Sequence, residues 1–228
     1  MRVAAVVFDM DGLMVDTEPL YQASWQQAAS ELGYDLDNDL YAQFVGRPTP
    51  ACELLLVSAF GSAFPLDGFR TRWPALWMNE MRRVGVQVKA GLLELLDFVD
   101  AQQLPTAVAT SSEADYASIT LEQAGLRDRF SVVVSGDQIA RGKPEPDIYI
   151  EAARRLGVPP SECVVFEDSE AGICAAERAG MTGLLVPHWP ASAKAARAAY
   201  RVVETLHEGQ EVLASLIRDG LAASPACT

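Results

Sequence analysis

Histidine, cysteine and positive charge are all scarce in this chain of 228 residues. Only two histidines are present, so neither zinc coordination nor histidine-based catalysis is expected. The four cysteines (Cys52, Cys163, Cys174 and Cys227) form no Cys-x-x-Cys pair, which is typical of reduced thiols in a cytoplasmic protein. Lysine and arginine total 18 against 31 acidic residues, a formal net charge of −13. That balance argues against nucleic acid or an anionic membrane as a partner.

Long apolar runs are also missing. No run approaches the roughly 20 residues that are needed to span a bilayer, and the first residues show no signal-peptide layout. We therefore expect a cytoplasmic protein without a membrane partner. Half of the residues are hydrophobic, which suffices for one large α/β domain or for a core domain with a smaller insertion.

The most informative segment is an apolar run that ends in two carboxylates. Residues 3–8 are uncharged and rich in valine, which is typical of a strand buried on both faces. Asp9 and Asp11 follow, and Gly12 lets the backbone turn sharply. Two carboxylates on the same side of a strand repel each other unless a cation lies between them or one keeps a proton. The segment favours a site for Mg²⁺; the alternative is an acidic turn after a strand.

Short apolar runs and helical patterns alternate in the second half of the chain, which predicts a parallel sheet. The further strands are predicted at residues 105–109, 131–134, 163–166 and 183–186. Three helices carry start or stop signals. They are predicted at residues 113–124 with Ser112 as N-cap, at 147–156 before Gly157, and at 170–179 with Ser169 as N-cap.

Residues 17–87 break this alternation, because three amphipathic helices follow one another without a convincing strand. The helices are predicted at residues 18–32, 50–60 and 68–83. We interpret residues 17–87 as a separate helical domain inserted into a core formed by residues 1–16 and 88–228.

Three other chemical groups follow predicted strands or precede a helix. Thr110, Ser111 and Ser112 supply hydroxyls and successive N–H groups, a natural anion site, although a plain N-cap run is the alternative. Lys143 lies between a glycine and a proline, from where it could reach a phosphate. Glu167-Asp168 is a second acidic pair at a strand end. In a parallel sheet these ends converge on one edge, where carboxylates can hold Mg²⁺ and one of them can attack a phosphoryl group.

These segments resemble the four motifs of the haloacid dehalogenase superfamily, in order and spacing. The matching residues are Asp9-Met10-Asp11-Gly12, Thr110, Lys143 and Glu167-Asp168. The insertion after the first motif is similar to the cap of the β-phosphoglucomutase-like branch. The resemblance implies an α/β fold, with a Rossmann-like three-layer parallel sheet core and an inserted all-helical cap that selects the substrate.

The resemblance also implies a role for each matched residue. Asp9 is the expected nucleophile, with its other carboxylate oxygen on Mg²⁺. Asp11 is the expected general acid and base, and its backbone carbonyl also binds the metal. Thr110 is expected to orient the phosphoryl group, and Lys143 to neutralise charge on both Asp9 and that phosphoryl group. Asp168 is the expected Mg²⁺ ligand, with Glu167 as a further ligand or as its outer neighbour.

Substrate contacts are expected from the cap and from the residues after Thr110. Ser111 and Ser112 are predicted to bind the phosphoryl group. Thr17, Tyr21 and Trp25 share one face of the first cap helix, which either lines a pocket or forms the core of the cap. Arg47 lies in a loop between cap helices, where it either holds an anionic group or is solvated.

The expected activity is Mg²⁺-dependent hydrolysis of a small phosphorylated metabolite, either a sugar phosphate or a nucleoside monophosphate. A phosphosugar mutase is the alternative, which we disfavour because mutases of this branch carry a histidine where Tyr21 stands. A phospho-receiver domain, with Asp137 as its acceptor, is disfavoured because it leaves the helical insertion without a purpose. The expected assembly is a monomer or a weak homodimer.

Overall fold

The apolar run that opens the chain forms an inner strand of a six-stranded parallel sheet. The computed structural model describes residues 2–44, 49–188 and 190–222. Its strands are β1 (Ala5–Phe8), β2 (Val15–Asp16), β3 (Gln87–Val88), β4 (Thr106–Ala109), β5 (Val132–Val134), β6 (Cys163–Glu167), β7 (Thr182–Leu185) and β8 (Arg201–Val202). The sheet order is β5-β4-β1-β6-β7-β8, while β2 and β3 form a separate antiparallel pair. The five predicted strands are confirmed, with boundaries that differ by at most two residues.

The order of the strands explains why a ligand-binding site is expected beside β1. The chain runs from β1 to β4 and β5 on one side, and then returns to place β6 on the other side. Phe8 pairs with Phe166 in register, so Asp9 and Glu167 follow neighbouring strands at the same level. Open parallel sheets bind ligands at the carboxyl ends of strands where the order reverses. The reversal lies between β1 and β6.

Helices cover both faces of the sheet. In the part of the chain that the structure describes, the α-helices are α1 (Glu18–Glu31), α2 (Asn38–Tyr41), α3 (Thr49–Phe60), α4 (Leu66–Val84), α5 (Leu92–Ala101), α6 (Ala114–Gln123), α7 (Asp147–Leu156), α8 (Glu170–Arg178), α9 (Ala193–Ala198) and α10 (Leu206–Ala222). On one face Val7 and Val165 share a core with buried residues of α7 and α8. On the other face Phe166 lies against Gly209 of α10, which in turn packs on α5. This confirms the expected three-layer α/β architecture.

The chain divides into two compact units. One comprises Met1–Asp16 and Gln87–Thr228, and the other comprises Thr17–Val86. The second unit is helical, with α1 packed on α4. Its core is aromatic, because the ring of Trp25 lies 5.8 Å from Phe44, 5.1 Å from Phe69 and 5.9 Å from Trp73, between ring centroids. The one-turn helix α2 was not predicted. Among the described residues no helix combines the length and hydrophobicity of a membrane span.

Two of the three helix signals hold, and one is wrong. The side chain of Ser169 accepts a hydrogen bond from the N–H of Gly172, as expected of an N-cap. Helix α7 ends at Gly157, which adopts a φ of 70°. Ser112 does not cap α6, because the chain enters that helix one residue later, at Glu113. The carboxylate of Asp137 instead accepts a hydrogen bond from the N–H of Ala114 at 3.1 Å.

Candidate active site

A buried ion pair joins the end of β1 to the loop before α7. The ammonium of Lys143 donates to Asp9 Oδ1 at 2.5 Å and to Glu167 Oε1 at 2.6 Å. It also donates to the carbonyl of Ala109, at the end of β4, at 3.1 Å. An ammonium has three N–H donors, so each has a partner here. The side chain of Lys143 is 5% exposed. Lys143 therefore ties together the ends of β1, β4 and β6.

The Glu167 carboxylate is fully buried and is held by four donors. Its Oε1 accepts from Lys143 and from the Tyr149 hydroxyl, the latter at 2.9 Å. Its Oε2 accepts from the N–H and the hydroxyl of Ser169, both at 2.9 Å. Burial opposes ionisation of Glu167, but the charge and hydrogen bond of Lys143 outweigh burial and lower its pKa. Glu167 is thus an ionised anchor for Lys143, which corresponds to the outer-neighbour alternative for this residue.

Glycines make room for two of the acidic side chains. A Cβ on Gly172, in the first turn of α8, would lie 1.6 Å from Glu167 Oε1. A Cβ on Gly12 would lie 2.1 Å from Asp168 Oδ2, and Gly12 also has a φ of +85°. Any larger residue at either position would therefore displace a carboxylate. Gly12 was predicted to turn the backbone, whereas the space that it leaves for Asp168 was not predicted.

The arrangement of acidic groups fits a divalent cation. One carboxylate oxygen from each of Asp9, Glu167 and Asp168 lies within 4.8 Å of the other two. Burial raises the pKa of Asp9 to about 7, although the charge of Lys143 opposes this shift. Burial, together with the charges of Asp9 and Glu167, raises the pKa of Asp168 to about 9. An added cation would let both acids ionise at neutral pH, and oxygen donors are those that Mg²⁺ prefers.

Asp11 lies within hydrogen-bonding reach of three hydroxyl groups that follow β4. Ser112 Oγ donates to Asp11 Oδ2 at 2.8 Å, and the Tyr116 hydroxyl donates to Oδ1 at 2.9 Å. The hydroxyl of the buried Thr110 is 3.4 Å from Oδ2. Residues 99 to 105 positions apart in sequence are thus brought together. Ser112, which fails as a helix cap, has Asp11 as its partner.

The remaining predicted residues are distributed between the two units. Ser111 is exposed after β4. Within the helical unit, Thr17 and Trp25 are each 4% exposed. The ring of Tyr21 lies 5.8 Å from the rings of both Trp73 and Trp77, between centroids, in a tilted arrangement. The packing of Trp25 corresponds to the core alternative for that face. Arg47 lies outside the described residues.

Sequence reasoning missed two tyrosines of the site. Tyr149 lies on the buried face of α7, and Lys143 Nζ is 5.2 Å from the centroid of its ring. Tyr116 lies in the first turn of α6. Both contact acids from distant parts of the chain, so no local pattern singles them out. The only available signal was position, since each tyrosine follows a predicted site segment by a few residues.

The receiver alternative finds no support in the position of Asp137. Its carboxylate is exposed and accepts a hydrogen bond from the first N–H of α6. Lys143, which such a domain would use beside its phosphorylated acid, contacts Asp9 and Glu167 instead. The acids of the site therefore follow β1 and β6.

A Rossmann-like sheet with a buried Asp–Lys pair and an acidic cluster at one edge is the arrangement expected of an enzyme that acts on phosphoryl groups. A family model described as haloacid dehalogenase-like hydrolase matches residues 6–186. The chain belongs to this family, as the resemblance of its motifs predicted, and it is a phosphoric monoester hydrolase.

The matches to similar proteins extend over most of the chain. It is 34% identical over 212 residues to a phosphorylated carbohydrates phosphatase of Thermotoga maritima, a match that covers 92% of this chain and 89% of that protein. It is 34% identical over 185 residues to the fructose-1-phosphate phosphatase YqaB of Escherichia coli, over 79% of this chain and 94% of that protein. A solved structure of a candidate beta-phosphoglucomutase from Thermotoga maritima has a TM-score of 0.82 at 34% identity, over 94% of this chain and 100% of that one.

Proposed function

We propose that this protein is a Mg²⁺-dependent phosphatase of small phosphorylated metabolites that works through an aspartyl-phosphate on Asp9. The observation that carries the proposal is the position of Asp9. Its carboxylate lies at the end of β1, 2.5 Å from Lys143 and grouped with Asp168. A buried carboxylate beside a cation is suited to attack an electrophilic phosphorus in a site that excludes bulk water.

The reaction divides into two displacements at phosphorus. Asp9 attacks the phosphoryl group, the bond from phosphorus to the substrate oxygen breaks, and Asp11 gives its proton to the leaving alkoxide. A water then attacks phospho-Asp9 and loses a proton to Asp11, which releases inorganic phosphate and restores both acids. Thr110 orients the transferring group, while Lys143 compensates the negative charge on Asp9 throughout.

The metal would be held by the carboxylates of Asp9 and Asp168, with the backbone carbonyl of Asp11 as a further ligand implied by the family. When bound, Mg²⁺ supplies positive charge that offsets the charge of Asp9 and of the phosphoryl oxygens. Glu167 supports this arrangement indirectly, because four donors already occupy its two oxygens. Its role is to fix Lys143.

The substrate is proposed to be a sugar phosphate, which the activities named for the two similar phosphatases support. We assign the helical unit the role of a cap that selects the substrate, with Thr17, Tyr21 and Arg47 as its candidate contacts. Trp25 is better explained as part of the aromatic core of that unit, because its ring packs against Phe44, Phe69 and Trp73. Nucleoside monophosphates remain the second substrate class to be tested.

A phosphosugar mutase is the second candidate, which the similar Thermotoga maritima structure favours. A mutase must hold a bisphosphate intermediate by both ends, which calls for cationic groups in its cap. Here Tyr21 stands where the mutases of this branch carry a histidine, and it packs against Trp73 and Trp77. Hydrolysis requires only that water reach phospho-Asp9, so we favour the phosphatase.

The Asp9→Asn variant tests the proposed nucleophile. It keeps the shape of the side chain but removes the attacking oxygen, so hydrolysis of para-nitrophenyl phosphate should fall to the background rate. Rapid acid quenching followed by mass spectrometry should find one phosphoryl group on the wild-type protein and none on the variant. The matched control is Asp35→Asn, which changes an exposed acid of the helical unit and should leave turnover unchanged.

Retained turnover in Asp9→Asn, with the fold intact by circular dichroism, would disprove the nucleophile assignment. The substrate class is identified separately. The wild-type protein is assayed with Mg²⁺ for release of free phosphate from a panel of sugar phosphates and nucleoside monophosphates. Conversion of β-glucose 1-phosphate to the 6-phosphate faster than its hydrolysis would favour the mutase instead.

A further inference from the structure

Both oxygens of the Asp11 carboxylate are held by hydroxyl groups of the segment that enters α6. Ser112 Oγ donates to Oδ2 at 2.8 Å, and the Tyr116 hydroxyl donates to Oδ1 at 2.9 Å. Rotation of the carboxylate about its Cβ–Cγ bond would break at least one of these hydrogen bonds. The two hydrogen bonds, one to each oxygen, therefore fix the plane of the carboxyl group.

The segment that carries the two hydroxyls is itself anchored. The N–H of Gly136 donates to the carbonyl of Ser112 at 2.8 Å, and a Cβ on Gly136 would lie 2.2 Å from the carbonyl oxygen of Ser111. The N–H of Ser112 donates to Thr110 Oγ1 at 3.1 Å. The residues that follow β4 and β5 therefore fix the position of Ser112, and Tyr116 follows in the first turn of α6.

We propose that Tyr116 and Ser112 are positioning residues that aim the Asp11 carboxylate for proton transfer, an inference that rests on the proposed phosphatase function. Tyr116 keeps its own proton and contributes only a hydrogen bond. In the first displacement the proton passes from Asp11 to the leaving oxygen, and in the second it passes from water to Asp11. This assigns Ser112 to Asp11 rather than to the substrate contact that the sequence predicted.

Positioning of a proton donor matters only when the leaving oxygen needs a proton. Phenyl phosphate releases a basic phenoxide, whereas 2,4-dinitrophenyl phosphate releases a weakly basic one. The Tyr116→Phe variant should therefore lower kcat/KM for phenyl phosphate about tenfold, and for 2,4-dinitrophenyl phosphate by less than about twofold. Ser112→Ala should show the same pattern, because it removes the 2.8 Å hydrogen bond to the other oxygen. The parameter kcat/KM reports the first displacement, so slow dephosphorylation does not mask the effect.

Tyr200→Phe is the matched control, since Tyr200 is 58% exposed and the chemical change is the same. It should leave kcat/KM for both substrates unchanged. A double-mutant cycle with Asp11→Asn then tests whether Tyr116→Phe lowers activity through Asp11. The readout is kcat/KM for phenyl phosphate, the substrate whose leaving oxygen needs a proton. Tyr116→Phe should lower it about tenfold in the wild-type background and by less than about twofold in the Asp11→Asn background.

An equal loss of kcat/KM for both aryl phosphates in Tyr116→Phe would overturn the proposal, as would a further loss of about tenfold in kcat/KM for phenyl phosphate in the Asp11→Asn background. If Tyr116→Phe does not fold, the same two comparisons made with Ser112→Ala decide the matter. Failure of the proposed function is recognised separately, because the wild-type protein would then release no phosphate and Asp9→Asn would not differ from it.

Discussion

Gly172 determines how closely a buried carboxylate can approach helix α8. Glu167 Oε1 lies where the first side-chain atom of any other residue would be placed, 1.6 Å from the position of a Cβ. The Gly172→Ala variant must therefore push Glu167 away from Lys143, Tyr149 and Ser169. We expect a loss of about 2–5 kcal/mol in the free energy of unfolding, because a buried ion pair is disturbed. Activity should fall about tenfold or more, since Lys143 loses its anchor.

The measurement is urea unfolding together with para-nitrophenyl phosphate turnover. Gly142→Ala is the matched control, because a Cβ there meets no atom within 4 Å although the residue precedes Lys143. It should retain both stability and turnover. Equal behaviour of the two variants would contradict the view that space at Gly172 fixes Glu167.

Lys143 illustrates how a single residue connects separate parts of the fold. Its three donors reach Asp9, Glu167 and the carbonyl of Ala109. Burial opposes its charge, but the adjacent carboxylates of Asp9 and Glu167 raise its pKa well above the ordinary value, so it stays protonated. Because all three donors have partners, any hydrogen bond to a phosphoryl group must come from an exchange of partners. Neutralising Asp9 is thus the principal role that its geometry supports.

At the scale of elements, the residue that caps helix α6 differs from the residue before the helix that contacts Asp11. Asp137 accepts a hydrogen bond from the N–H of Ala114, whereas Ser112 bonds to Asp11. Asp137→Ala should therefore lower Tm by a few degrees with little change in kcat/KM, because only the cap is lost. Ser112→Ala should change Tm less and activity more. Differential scanning fluorimetry and phenyl phosphate kinetics on the two variants test this division.

Asp137→Asn keeps an acceptor oxygen and serves as the control, with a Tm closer to that of the wild type. The opposite ranking, with Ser112→Ala the less stable of the two alanine variants, would restore the N-cap interpretation of Ser112.

The same helix shows what local sequence can and cannot predict. Strand β1 and helix α7 were predicted because their signals are local, an apolar run that ends in acids and a terminal Gly157. The predicted N-cap of α6 was wrong because the hydroxyl of Ser112 donates to Asp11, 101 positions away in the sequence. Strand β8, only two residues long, is too short to show a periodicity. Local sequence patterns thus predicted the strands and helices. The role of a residue such as Ser112 depends on a long-range hydrogen bond, which local patterns do not show.

The site residues follow the same rule. Asp9, Lys143 and Glu167 were predicted from motifs that follow strands or precede a helix, and the structure brings these three into direct contact. Tyr116 and Tyr149 carry no such signal, because a tyrosine on a helix is usually explained by packing. Only the folded chain shows that their hydroxyls bind buried or half-buried acids.

At the scale of the whole molecule, the acidic cluster links stability to pH and to metal. The pKa values of Asp9 and Asp168, about 7 and about 9, lie above those of ordinary carboxyls. A raised pKa in the folded state means that the folded protein binds protons more tightly than the unfolded chain does. The metal-free protein is therefore favoured at low pH by these groups, and it loses that contribution as pH rises through about 7 and then about 9.

Magnesium should reverse this loss, because it takes the place of the protons between the carboxylates. We expect Mg²⁺ to raise the midpoint of urea unfolding more at about pH 9 than at about pH 6, relative to protein in EDTA. In Asp168→Asn one of the competing acids is gone, so the metal-free protein should lose less stability between these pH values and respond less to Mg²⁺. Asp35→Asn, at an exposed position, should behave like the wild type. A stabilisation by Mg²⁺ that shrinks as pH rises would contradict a metal site built on Asp9 and Asp168.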